Sequence, residues 1–230
     1  MSVQRLRVRF RKGERLRYIS HLDVLRHWER ALRRAGIPLS YSQGFTPHPK
    51  ITFAAPLPLG FVSEAELMDV LLDDRVDPKD FRERVSRQTP PDLAILEVRE
   101  VGLSLPALQS LVEWADYEVD LAGVTREEVE AAGRAFLAAE RWVVLDERKD
   151  RPREVDIRPG VAWLRVTEGP CGLVRLTMRL RASQQLTVRP ELVVGAVAPG
   201  ARTERIARVG LQLREASPAI EAWKTRGEFA

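Results

Sequence analysis

The sequence predicts an α+β fold of two tandem ferredoxin-like (βαββαβ) domains. Three observations predict it. Short runs of alternating apolar and polar residues recur along the chain and mark strands. Helical stretches with their own start signals stand between them. The order strand–helix–strand–strand–helix–strand of the first half returns in the second without evident sequence identity. The domains are expected at residues 1–104 and 111–216, with the break near Ser104–Ser110. Residues 217–230 are expected to be a loosely held tail.

Leu6, Val8 and Phe10 alternate with Arg5, Arg7, Arg9 and Arg11, so the first strand has one apolar and one strongly basic face. Gly13 and Glu14 end it. Ser20 is placed to cap a helix, with Asp23 where a capping-box partner sits. Leu22, Leu25, Trp28, Leu32 and Ala35 form the expected apolar stripe, Gly36 suits the C′ position, and Pro38 blocks continuation. Arg26, Arg30, Arg33 and Arg34 fall at i, i+3 and i, i+4 spacings and make the polar side basic. From Ser40 to Pro49 the chain reads as loop, with Pro47 and Pro49 keeping Thr46 and His48 out of helical geometry. Strands follow at 51–54 and 65–72 around the turn-rich PLPLG, then a helix from Pro78 to about Arg87 and a strand at 93–101.

The second half opens with a strand at 114–121. Thr125 caps a helix with Glu128 in the capping-box position, ending near Glu140. Strands follow at 141–145, 161–166 and 173–180, the first two separated by the charged DERKDRPRE, an expected exposed loop. A short helix at 190–198 and a strand at 203–213 complete the order.

With 44% of its 230 residues hydrophobic, the chain can bury one large core or two small ones. No apolar run approaches the roughly 20 residues of a membrane span. The start MSVQRLRVRFRKG lacks the continuous apolar core of a signal peptide. A soluble, cytoplasmic protein with no membrane partner is expected. The single Cys171 fits that compartment and excludes an internal disulfide. It also excludes an iron–sulfur centre held by three or four cysteines of this chain.

Charge is unevenly placed. Residues 1–50 hold 12 Lys+Arg against 3 Asp+Glu, a net of +9, whereas the other 180 residues hold 25 against 30, a net of −5. This asymmetry points to an anionic partner for the N-terminal segment, RNA first, against the alternative of a merely solvated basic face. All three histidines (His21, His27, His48) and two of three tyrosines (Tyr18, Tyr41) lie in the same stretch. Tyr18 and His21 flank a helix start, where free amides and the helix dipole favour an anion. His21 can carry a proton near neutrality, and His48 and Lys50 on the proline-stiffened loop can meet the same phosphate. The plain alternatives are a locally hydrogen-bonded His21, a core Tyr18 and a loop whose glycine and prolines only shape a turn.

Other chemistries find little support. His21 and Asp23 point to different sides of a helix, and HxxxH and CxxC are absent, so no metal site is expected. GxGxxG and GxxxxGK[ST] are absent too. Cys171 in TEGPCG reads as an inert turn residue, and Trp114, Trp142 and Trp163 read as core.

The run LRYISHLDVLRHWERALRRAGIPLSYSQGFTPHPKITFAAPLPLGFVSEAELMDVLL, with the later REVDIRP and RIARVGL, resembles the radical SAM-linked proteins, a bacterial family of uncharacterised function. That resemblance implies association with a cobalamin-binding radical SAM enzyme, fused or encoded alongside. Iron–sulfur cluster, SAM and cobalamin are then expected in the partner enzyme, with no cofactor in this chain. A more distant resemblance is to the CRISPR repeat-processing endoribonucleases, which use tandem ferredoxin-like domains and, in some members, a Tyr and a His around the first helix. Their C-terminal glycine-rich loop is missing: from residue 195 onward only Gly195, Gly200, Gly210 and Gly227 occur, well scattered.

The expectation is a non-catalytic accessory protein that binds RNA (tRNA or rRNA) or positions substrate for a radical SAM enzyme. Arg5, Arg7, Arg9, Arg26, Arg30, Arg33, Arg34, His48 and Lys50 are the candidate RNA contacts, and Arg153 and Arg158 second-tier anion contacts. One alternative is a metal-independent endoribonuclease with His21 as general base and Tyr18 or Lys50 stabilising charge, for which Tyr18, His21, His48 and Lys50 are candidates. Another is a pure protein-interaction module.

Overall fold

The computed structural model describes residues 2–146 and 152–214. The fold is mixed α+β, with five α-helices and a large sheet among those residues. The chain divides into two compact units. The first comprises the chain up to Val112 together with the part from Gly210, and the second is Glu113–Val209.

In the first unit β1 (Gln4–Lys12) leads through α1 (His21–Arg34) to β2 (Ile51–Phe53) and β3 (Val62–Leu72). Then come α2 (Pro78–Ser86), β4 (Ile95–Val101) and the short α3 (Leu108–Leu111). The strands run in the order β4-β1-β3-β2, every neighbouring pair antiparallel. Alternation on β1 sends Leu6, Val8 and Phe10 into the core, where they meet Val24, Trp28 and Leu32 of α1 and Phe81 and Val85 of α2. Phe10 and Trp28 meet edge to face with centroids 5.0 Å apart.

The helix ends follow their signals. Ser20 caps α1 by accepting from Asp23 N at 3.2 Å. Its other end turns on Gly36, whose φ of +64° lies in the left-handed region, while Ile37 N reaches back to Leu32 O at 3.1 Å. Arg84 of α2 secures the same end by donating to Ala35 O and Gly36 O, each at 2.7 Å. Asp77 caps α2.

The second unit runs β5 (Val112–Ala122), α4 (Arg126–Ala138), β6 (Val143–Asp146), β7 (Arg153–Asp156), β8 (Val161–Glu168), β9 (Val174–Arg181), α5 (Pro190–Val197) and β10 (Arg202–Leu213). Its strand order is β10-β5-β9-β8, and β6 and β7 pair as a separate hairpin. Thr125 and Glu128 form the expected capping box on α4. Val174, Leu176, Met178 and Leu180 of β9 are buried with Val129 and Phe136 of α4.

Two expectations shift. The break expected near 104–110 moves to Val112, because Leu108 and Leu111 are fully buried and Arg5 donates to Leu105 O and Pro106 O. The second unit stops at Val209 rather than 216, since the end of β10 groups with the first. Strand β7 falls where the charged stretch read as loop. Asp146 of that stretch ends β6, and residues 147–151 and the tail at 217–230 lie outside the described residues.

Candidate nucleic-acid interface

The approach to α1 is held by a buried lysine. Lys12, at the end of β1, donates through Nζ to Ile19 O at 2.9 Å and Arg17 O at 3.3 Å. Burial pulls its ammonium below the usual lysine range, and nearby Glu66 opposes that shift. Arg17 in turn donates to Gly60 O at 2.8 Å and accepts from Gly60 N at 3.0 Å. The segment before α1 is thereby tied to the PLPLG turn. It presents Tyr18, 72% exposed, with the Arg17 guanidinium 5.5 Å from its ring centroid.

His21 opens α1 and stacks edge-on against Phe53, centroids 4.9 Å apart. It borders a small recess with Lys12, Glu66, Phe10, Val24 and Leu57, with room for about one water. Three ionisable side chains from β1, α1 and β3 therefore meet at one place. Lys12 and Glu66 were missed in the sequence because an isolated lysine after Arg11 and a glutamate inside an apolar strand read as surface residues.

The buried face of α1 is Val24, Trp28, Ala31 and Leu32, with Leu25 partly buried. Leu22, expected in the stripe, is 60% exposed. Leu22, Val24 and Leu25 are compatible with two helix phases, and packing against Phe10 selects the phase through Val24. The polar face carries exposed Arg26, Arg30, Arg33 and Arg34. Arg26 pairs with Asp23 at 3.2 Å. The Ser20 hydroxyl and then Arg26 hold the Asp23 carboxyl below its usual range. Arg30 and Arg34 form no ion pair among the described residues, and no Asp or Glu occurs from Arg30 through Ser63. His27, half-buried on this helix, is pulled below the usual histidine range by burial and by Arg30 and Arg34.

GFTPHPK belongs to a hairpin finger. Ser42 N donates to His48 O at 2.9 Å, His48 N to Ser42 Oγ at 3.0 Å, and Lys50 N to Ser40 O at 2.8 Å. Tyr41 pairs with Pro49 across the stem. Ser40 Oγ donates to Asp73 Oδ1 at 2.6 Å, and Lys50 O accepts from Leu71 N of β3 at 3.1 Å, so the base is anchored on the sheet. Gly44, with φ +122°, makes the tip turn. Next to it Phe45 is fully exposed, and Tyr41, His48 and Lys50 are exposed as well. Leaving a phenylalanine in water forgoes about 1.5–3 kcal/mol of burial. Phe45 was absent from the candidate residues because a lone phenylalanine in a Gly/Pro stretch carries no periodicity.

Several expected contacts are corrected. Arg5 and Arg7 do not face solvent: Arg7 donates to Asp69 through Nε at 2.7 Å and Nη2 at 2.9 Å, and Arg5 through Nε at 2.7 Å. Both are buried, so they are out of reach of a surface anion, although Arg7 Nη1 has no hydrogen-bond partner among the described residues. Arg9 is half-buried on the same strand. Arg158 donates to Leu137 O at 2.9 Å and Val161 O at 3.0 Å and covers the Phe136 ring, closing the end of α4 rather than awaiting an anion. Arg153 is exposed on β7. The expected core tryptophans are half-buried: Arg181 lies 4.7 Å from the Trp114 centroid, Arg165 and Arg179 lie over Trp163, and Trp142 packs on Phe136. Cys171 is exposed in a turn with φ +53°.

Comparison with known proteins gives a family and a fold. A family model described as "Uncharacterized protein conserved in bacteria (DUF2344)" matches residues 5–190. No curated protein matches the sequence. Among solved structures, a chain in "Crystal Structure of a Cbf5-Nop10-Gar1 Complex" is similar at 13% identity with a TM-score of 0.50, covering 90% of this chain and 48% of that one. This protein thus spans about half the length of that chain, and the likeness is one of fold alone.

Proposed function

The chain belongs to the bacterial family DUF2344, and from that premise we propose a non-catalytic, RNA-binding accessory protein for a radical SAM enzyme. One observation supports the RNA part: α1 and its flanks carry exposed cations and exposed aromatic rings within one stretch of chain that has no Asp or Glu from Arg30 through Ser63. Arg26, Arg30, Arg33 and Arg34 would meet phosphates, with Lys50 extending the cationic surface along the finger and His48 offering a ring hydrogen bond beside it. The partner part rests on the resemblance of the run from Leu16 to Leu72, with the later REVDIRP and RIARVGL, to radical SAM-linked proteins. Strand orders β4-β1-β3-β2 and β10-β5-β9-β8 support reading both units as ferredoxin-like, the second with the β6–β7 hairpin inserted. No helix among the described residues is long and apolar enough to cross a membrane. A cytoplasmic site of action accompanies the proposal.

Filter binding to total tRNA and to rRNA over a salt series tests it. Binding that weakens steeply with salt is expected, and its absence at low salt overturns the RNA reading. Co-purification of the radical SAM enzyme encoded alongside tests the partner reading.

A second reading, a metal-independent endoribonuclease, is favoured by one feature: His21 shares its recess with Lys12 and Glu66, an acid–base set beside a helix N-terminus. RNA cleaved in EDTA by the wild type and spared by His21→Ala would select it. RNA left intact selects the accessory role.

A further inference from the structure

We infer that the finger's ligand is an unpaired RNA base, stacked on Phe45 at the tip, so that the RNA recognised is single-stranded there. The inference rests on the RNA-binding reading and names its substrate class.

The finger is built to present a ring. Its stem is closed by three backbone-mediated hydrogen bonds between Ser40–Ser42 and His48–Lys50, and its base is fastened to β3 and Asp73. Pro47 and Pro49 remove backbone donors and restrict the returning strand. Gly44 supplies the positive φ that the tip requires. A ring on a stiff stem loses little conformational freedom on binding, which favours contact. Its complete exposure means the protein supplies no apolar cover.

The surroundings choose the occupant. The finger carries His48 and Lys50, the preceding helix carries Arg30, Arg33 and Arg34, and the sequence has no Asp or Glu from Arg30 through Ser63, the carboxylate at the finger's base being Asp73 of the next segment. A partner matching this surface brings negative charge and flat apolar faces together, as a single-stranded nucleic acid does. Tyr18, with Arg17 over its ring, offers a second platform of the same kind. In duplex RNA the base faces are already stacked and the deep groove is too narrow for side chains, so a protruding ring has nothing to lie on.

The test uses the full chain and fluorescence anisotropy, with a labelled mixed-sequence strand of about 12 nucleotides, free or annealed to its complement. The wild type should bind the single strand about 10-fold or more tightly than the duplex. Phe45→Ala should remove most of that preference, and Phe45→Trp should restore it. Equal wild-type affinity for both forms, or a Phe45→Ala variant with unchanged single-strand affinity, overturns the stacking inference while leaving the RNA reading intact. Binding to neither form overturns the RNA reading itself. Loss of binding to anionic phospholipid vesicles in Phe45→Ala, with RNA affinity unchanged, would assign the ring to a membrane surface and overturn the inference.

Discussion

On β1, Arg5 and Arg7 converge on Asp69 and lose solvent, whereas on α1, Arg26, Arg30, Arg33 and Arg34 keep it. All six belong to one unit and look alike as sequence. What separates them is the neighbour supplied from elsewhere in the chain. β3 pairs with β1 in a register that sets Asp69 opposite Arg7, and residues 105–106 add two carbonyls for Arg5. No comparable acceptors reach Arg30 or Arg34 among the described residues. A buried arginine with a fixed partner acts as a strut, and an exposed one with no ion pair is free to meet an anion. The second unit shows an intermediate case: Arg175 and Arg179 form two-point pairs with Asp120 and Asp116 yet stay partly exposed.

This contrast can be broken at its buried end first. Asp69→Asn leaves Arg5 and Arg7 without a counter-charge and should cost about 3–5 kcal/mol in denaturant unfolding. A loss under ~1 kcal/mol would mean that the β1 arginines are solvated after all. At the exposed end, Arg30→Glu with Arg34→Glu should change stability by about 0.5 kcal/mol or less, while RNA affinity falls roughly 10-fold or more at low salt. Arg158→Ala probes an arginine reassigned from anion contact to helix closure. It should lose about 1–2 kcal/mol of stability with RNA binding unchanged.

The smallest expected effect is one of pH. His27 titrates below 6.5 in the folded protein and near 6.5 when unfolded, so between these values the unfolded chain binds more protons. Its contribution to stability is therefore complete above pH 6.5 and is lost as pH falls through the lower folded value. His27→Gln should flatten the stability profile in that acid window and leave it unchanged in mildly alkaline buffer. An unaltered acid limb would contradict the assignment.

The secondary structure was largely legible because its signals are local. Alternation in Leu6, Val8 and Phe10, the Ser20 and Thr125 caps, and Gly36 followed by Pro38 each act within a few residues. For the candidate site, exposure and local structure were legible and tertiary neighbours were not. Tyr18, His21, His48 and Lys50 stand where a reader of the sequence would look, yet Lys12 and Glu66 emerge only when β1 and β3 pair. The fate of Arg7 depended on a carboxylate 62 positions away, which no local pattern announces. The phase of α1 was equally hidden, since Leu22 and Val24 compete for the core on sequence alone. Phe45 became conspicuous only through the hydrogen bonds that make its loop a finger.

The division of labour between the two arginine sets is tested most directly by the salt dependence of RNA affinity in wild type and in Arg30→Gln with Arg34→Gln. If these side chains neutralise phosphates, the slope of log affinity against log salt should become shallower by about 1.4, near 0.7 for each single-strand phosphate no longer neutralised. An unchanged slope, with both proteins folded and binding, would contradict the account and move the phosphate contacts elsewhere on the molecule.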